Sequence, residues 1–170
     1  MENKMSFAQF REIALKRRTV RDFKKDKVCF SDILECIELG IWAPTGSNLQ
    51  RLRFSVVTDG DLIEKIKLYS PGLPKTTPAV LAIYSYEEEE YKNKFYEEII
   101  NCDIGLALQN ICLGLYLKGY GSCIVKSFNQ SMLDKLLHKE NHKLRILLAW
   151  GRIEKFPLPP ERKEIKTYLI

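Results

Sequence analysis

The segment EEEEYKNKFYEEIINCDIGLALQNICLGLYLKGYG, from Glu87 to Gly121, constrains the fold more than any other stretch. Its first half is charged, and from Ile99 onward it is apolar nearly all round. That is the pattern of a helix that leaves solvent and becomes buried on every side. It predicts one long helix, closed by Gly119 or Gly121 as the C-cap. A central helix of this kind has to be wrapped by other elements.

The flanking segments supply them. Ser6 with Gln9 three residues later has the form of a capping box, and Phe7, Phe10, Ile13 and Ala14 follow at helical spacing, so a first helix is expected to about Arg17. Ser31 is placed to cap a second helix through Ile33, Leu34, Ile37 and Ile41, ending at Ala43-Pro44 because a residue before proline avoids the helical region. TGSN reads as a tight loop, LRFSVVTD as a strand with Phe54 and Val56 on one face, and a third helix starts near Asp61. SPGLPKTTP is a loop by its proline and glycine, and AVLAIYSY is a buried strand. SCIV is a short strand, Ser131 and Asp134 open another helix, and LRILLAWGRI is a strand. FPLPPERK is irregular, and IKTYLI alternates as a last strand. The sum is one α+β domain over 1–170, a small sheet of four or five strands wrapped by helices with one helix buried across it.

Composition narrows the function classes. A net charge of +5, from 27 basic and 22 acidic residues, is a modest excess, and the basic run lacks the interleaved aromatics of a nucleic-acid groove, so no nucleic acid is expected. The five cysteines, Cys29, Cys36, Cys102, Cys112 and Cys123, form no CxxC pair and read as reduced core thiols. MENKMSFAQF lacks a signal peptide's apolar stretch, and no apolar run reaches the ~20 residues that span a bilayer, so a cytoplasmic protein without a membrane segment is expected.

No motif offers an acid, base or nucleophile. GYGS is not a dinucleotide fingerprint, and His138 and His142 stand i, i+4 in a polar setting that looks like a fraying helix end, so no metal site is expected. A chain without its own chemistry is either non-enzymatic or borrows a cofactor. LKRRTVRDFKK points to the second case. Lys16 and Arg17 suit the C-terminal dipole of the first helix, but Arg21 lies beyond it. Arg17, Arg18, Thr19 and Arg21 place guanidinium forks and a hydroxyl in a short arc, which suits one phosphate group.

Four blocks then resemble the FMN-dependent nitroreductases, in order from Ile13 to Lys163. RRTVRDF is similar to that family's Arg-Arg-Ser-x-Arg-x-Phe, and APTGSNLQ to its Ala-Pro-Ser-x-x-Asn-x-Gln loop. CDIGLALQNICLGLYLKGYGSC resembles the central helix with Asp103, Gly105 and Ala107, and LLAWGRIEKFPLPPERK the closing strand and basic tail. The resemblance implies an intertwined homodimer with two FMN molecules at the subunit interface. It implies that Arg17 and Thr19 hold the phosphate with Arg18 close by, and that Arg21 lies near the flavin pyrimidine, where its charge favours the reduced form. Pro44, Thr45 and Asn48 of the other subunit then pack along the ring and ribityl chain. Ile124, Lys126 and Ser127 face the isoalloxazine, and Arg162 and Lys163 close on the phosphate. NAD(P)H is the implied electron donor, and nitroaromatics or quinones the implied acceptors, in a ping-pong cycle. The C-terminal segment 164–170 is expected to cross to the partner subunit.

Three positions depart from the family's pattern. Arg51 and Leu52 replace Pro-Trp, which puts the packing of that loop in question. Lys126 replaces an acidic residue or glycine, which bears on redox potential and on the charge of the acceptor. Only EEEEYKNKFYEE separates AVLAIYSY from the central helix, so less protein covers the site. Dehalogenation, flavin destruction and flavin binding without turnover are the alternatives on the same fold.

Overall fold

A computed structural model describes residues 5–164. The strand expected over IKTYLI, and the exchange of 164–170 with a partner, fall almost wholly outside the described residues.

Alternating apolar positions build a four-stranded antiparallel sheet: β1 (Leu52–Val57), β2 (Ala79–Tyr86), β3 (Tyr120–Val125) and β4 (His142–Arg152), in the order β1-β2-β4-β3. β2 and β4 are central and buried along almost their whole length. Each face of the sheet carries its own core. One is lined by Val80, Ala82, Tyr84, Leu147 and Ala149 and packs on α3 (Gly60–Leu68), α5 (Gln130–Leu136) and the Val20–Phe23 arm. The other, with Leu81, Ile83, Leu148 and Trp150, packs on α2 (Phe30–Ile41) and α4 (Lys94–Leu117). α1 (Phe7–Lys16) rests on α4. Among the described residues, the five α-helices and the small antiparallel sheet are the α+β class expected.

Several local expectations change. The glutamate run does not start the long helix. A 3-10 turn covers Glu89–Tyr91, and α4 begins after Asn93, whose Oδ1 accepts from Tyr96 N at 3.1 Å. Glu87 stays out because its carboxylate is held by buried arginines at the sheet end. Nor is α4 buried all round. Ile100, Ile104, Leu108, Ile111 and Leu115 face the sheet, while Leu106 and Leu117 are exposed. Over 24 residues α4 is long and apolar enough to cross a membrane, yet half of its most apolar stretch is packed inside the domain.

Cys29, not Ser31, is the N-cap residue of α2, where its N–H donates to Tyr120 Oη at 3.2 Å. α2 ends at Ile41, two residues before the expected Ala43-Pro44 boundary. Asn129, not Ser131, caps α5, accepting from Met132 N at 3.1 Å. α1 has the expected capping box but buries none of its residues, and Phe7 is 79% exposed. His138 follows α5 and His142 opens β4, so the pair shares no helix face.

Candidate functional site

The chain leaves α1 at Arg17 and runs alongside the free edge of β3. Thr19 bridges Ser122 in parallel, and Val20 N donates to Ser122 O at 2.9 Å. Gly121 permits this approach, since a Cβ there would lie 2.8 Å from Val20 Cβ. Gly119 makes the turn from α4 into β3 with φ +76°, a conformation that side chains resist. The GYGS sequence is therefore a docking edge for the basic arm.

Arg17 and Arg18 sit at the head of that arm. Arg18 Nη1 donates to Arg17 O at 2.6 Å. The Nε atoms of both arginines are buried without a hydrogen-bond partner, a costly state for a cation and one that an anion would relieve. The charge of Arg17 is felt on α4. Burial pushes the Cys112 thiol up, and the hydrogen bond with Ser122 and the Arg17 charge pull it back in smaller measure. Arg21 is exposed, and its charge opposes the effect of burial on the Cys123 thiol of β3. Along β3 Ile124 is 46% exposed, and Lys126 and Ser127 follow it at the surface. Arg162 and Lys163 are exposed in the irregular tail.

A second group lies farther toward the N-terminal end of α4. Pro44, Thr45 and Asn48 belong to a loop whose turn spans Gly46–Asn48. Asp103, a buried carboxylate on α4, accepts from Gly46 N at 2.9 Å, and Gly46 rests so closely on Ile99 that a Cβ would come within 2.3 Å of its Cγ2. Ser47, Asn48 and Gln50 all have positive φ, at 51°, 54° and 50°. Such strain, about 1–3 kcal/mol per residue, persists only where the surroundings over-determine it. Here Thr45 Oγ1 accepts from Gln50 N at 3.2 Å, and Asn48 Oδ1 accepts from Gln50 Nε2 at 3.1 Å. Pro44, Thr45, Phe95, Ile99, Cys102 and Leu106 border an open apolar groove beside the loop.

Arg51 leaves its loop well packed. It is 5% exposed, its Nε donates to Tyr86 O at 3.1 Å, and its guanidinium lies 4.7 Å from the Tyr91 ring centroid. Glu87 links it to a second buried arginine that sequence reasoning missed. Arg145 Nη2 donates to Glu87 Oε1 at 2.9 Å and to Glu97 Oε1 at 3.0 Å, and its Nε donates to Ser85 Oγ. The place of Arg145 in an otherwise apolar strand, three residues after His142, was the only signal. This cluster clamps the short segment between β2 and α4 onto the sheet end.

The clamp sets a pH response. The hydrogen bond from Arg145, then the charges of Arg145 and Lys143, hold the Glu97 carboxyl at about 2, below its ordinary 4.5. A carboxyl depressed in the folded state stabilises above its unfolded value and loses that contribution as pH falls through the folded one. The Glu97 side chain is 38% exposed, so solvent screens the effect to about 1 kcal/mol. Glu97→Gln is expected to flatten the stability profile between about pH 5 and pH 2, checked by urea unfolding across that window.

A sequence model described as the nitroreductase family matches residues 14–100 and 67–152. The chain belongs to the nitroreductase family. The iodotyrosine deiodinase of Thermotoga neapolitana is 39% identical over 187 residues, covering 94% of each chain. Among solved structures, a nitroreductase family protein from Streptococcus pneumoniae TIGR4 superposes with a TM-score of 0.83 at 19% identity, over 94% of this chain and 100% of that one. An iodotyrosine deiodinase bound to FMN and 3-iodo-L-tyrosine superposes with a TM-score of 0.78 at 22% identity, over 93% and 97%. The family match includes the basic arm, the Pro44–Asn48 loop, α4, β3 and the arginine clamp, and stops at Arg152, short of Arg162 and Lys163.

Proposed function

We propose that this protein is an FMN-dependent oxidoreductase that uses NAD(P)H to reduce small organic acceptors such as nitroaromatics and quinones in a ping-pong cycle. The observation that carries the reading is the pair of buried, unpartnered Nε atoms of Arg17 and Arg18, at the head of an arm that Thr19 and Ser122 fix against β3. FMN phosphate carries about two negative charges at neutral pH, and charge-assisted hydrogen bonds from guanidinium and hydroxyl groups are its natural anchor. Arg17, Arg18 and Thr19 would hold it, with Arg162 and Lys163 closing from the tail. Arg21 would place positive charge near the pyrimidine. Ile124, Lys126 and Ser127 would line the ring. FMN, when bound, exchanges two electrons as a hydride, chemistry that ordinary side chains lack.

The site is shared in a homodimer, with Pro44, Thr45 and Asn48 contributed by the second subunit. Supporting this, large apolar side chains of α1, α4 and the α2 end, Phe7, Phe10, Ile41, Trp42, Leu106 and Leu117, are exposed. A reducing cytoplasm suits the five free thiols.

A second reading is reductive dehalogenation of a halogenated phenol, favoured by the 39% identity to a protein named iodotyrosine deiodinase. One experiment addresses both. The purified protein should be yellow, sediment as a dimer and be bleached by NADH or NADPH, and the bleached form should be mixed with a quinone, a nitroaromatic and an iodophenol. Reoxidation by the first two alone supports the oxidoreductase; fast halide release from the third supports the dehalogenase. Protein that refuses added FMN refutes both.

A further inference from the structure

We infer that Lys126 is a catalytic residue of the reaction proposed above, giving the acceptor the proton that accompanies its electrons. The inference rests on the flavoprotein reading and adds a role that the family match does not assign.

Position comes first. β3 exposes Ile124 on the edge where the basic arm docks, and Lys126 lies two residues on, the next place with the same sense of alternation. An acceptor lying over Ile124 meets Lys126. The ammonium folds back so that Nζ donates to Arg145 O and stands 5.3 Å from the Phe128 ring centroid. Among the described residues no carboxylate comes within 4.0 Å of it, the limit for an ion pair. The nearby carboxylates are engaged elsewhere: Glu97 of α4 with Arg145 and Lys143 of β4, and Asp134 of α5 with Gln130 Nε2 at 2.9 Å. An ammonium has three N–H donors. With one on Arg145 O, Lys126 keeps two for an acceptor oxygen, and its charge is unneutralised.

The surroundings weaken its hold on the proton. The residue as a whole is exposed, but its Nζ end is folded onto Arg145 O and the Phe128 ring, and this partial desolvation is the largest cause, followed by the positive charges of Arg145 and Lys143, with Glu97 and Asp134 offsetting it only in part. A lysine moved below its usual range toward neutral pH is a better general acid. A quinone that gains a hydride equivalent, with NAD(P)H as the ultimate reductant, still needs one proton on its second oxygen. The Nζ–H bond of Lys126 breaks as that O–H bond forms, and the neutral amine regains a proton from bulk water. NAD(P)H is oxidised and the quinone is reduced to the hydroquinone.

Two measurements test this. Competitive acetylation across pH, read by mass spectrometry on the protein without NAD(P)H, should show Lys126 titrating below the surface lysines of the same protein. Stopped-flow reoxidation of the reduced protein should then compare a quinone with ferrocenium, which takes an electron and no proton. The quinone-to-ferrocenium rate ratio should fall as pH rises through the Lys126 midpoint. In Lys126→Met it should be at least about tenfold lower at pH 7 and flat with pH. Lys126→Arg keeps the charge but holds its proton too tightly to give it up, so its ratio should stay low and flat with pH, and a ratio restored by arginine overturns proton donation; Lys126→Gln serves if Lys126→Met does not fold. A Lys126 that titrates with the surface lysines, or an equal ratio in wild type and Lys126→Met, overturns the role while leaving the flavoprotein standing. Protein that binds no FMN overturns both.

Discussion

Arg145→Met should lower the stability of the folded protein by about 3 kcal/mol, the low end for removing one partner of a buried ionic cluster. The arginine is 5% exposed and serves Ser85, Glu87 and Glu97 together. Methionine fills much of its volume but leaves Glu87, whose side chain is only 16% exposed, with Arg51 as its nearest cation at 3.6 Å. Glu97 is better placed, because it keeps Lys143 at 3.3 Å and can rehydrate. In a chain of this size about 3 kcal/mol moves the thermal midpoint down by about 6–12 °C. Scanning calorimetry of the two proteins measures it. The double variant Arg145→Met, Glu87→Gln should recover part of the loss, because the stranded charge is removed with its partner. A midpoint within about 2 °C of wild type in the single variant would show that the cluster contributes little net stability.

Arg17→Ala should weaken FMN binding about 10- to 150-fold, corresponding to about 1.5–3 kcal/mol for a lost hydrogen bond to a charged group. Arg17 is the better target of the two arginines. Its backbone N–H caps α1 through Ile13 O at 3.0 Å and survives the substitution, so the arm keeps its start. The unpartnered buried Nε is what disappears. Fluorescence quenching of FMN titrated with apoprotein gives both dissociation constants. Equal constants would remove Arg17 from the phosphate site. Arg21→Ala probes something different: flavin is retained, and its reduction potential falls.

Much of the fold was legible in the sequence because local patterns there were unopposed. The alternating strand β1, the apolar strands β2 and β4 and the Ser6-Gln9 capping box depend on near neighbours and stand as read, and of the two glycines offered as the end of α4 the left-handed turn falls at Gly119. The misplaced helix starts share one cause. Ser31 and Ser131 were plausible caps, but Cys29 is held at the start of α2 by Tyr120, 91 residues away, and Asn129 donates its backbone N–H to Tyr69 O at 2.8 Å. Long-range contacts chose among local candidates of similar worth. Likewise nothing local marks Glu87, first in a run of four glutamates, as the one that pairs with the buried Arg51 and Arg145.

By itself the sequence determined the class of the domain, its family and the concentration of arginines in the basic arm. Those follow from periodicity, charge spacing and motif order, all carried along the chain. Tertiary structure decided which of these charges are buried and which are satisfied. It left Arg17 and Arg18 with unpartnered Nε atoms, turned Arg51 and Arg145 into a clamp, and set the Lys126 ammonium on the backbone carbonyl of Arg145. The reason is physical. The energy of a charge depends on its solvent exposure and on groups within a few ångströms, and those are set by segments far apart in the chain.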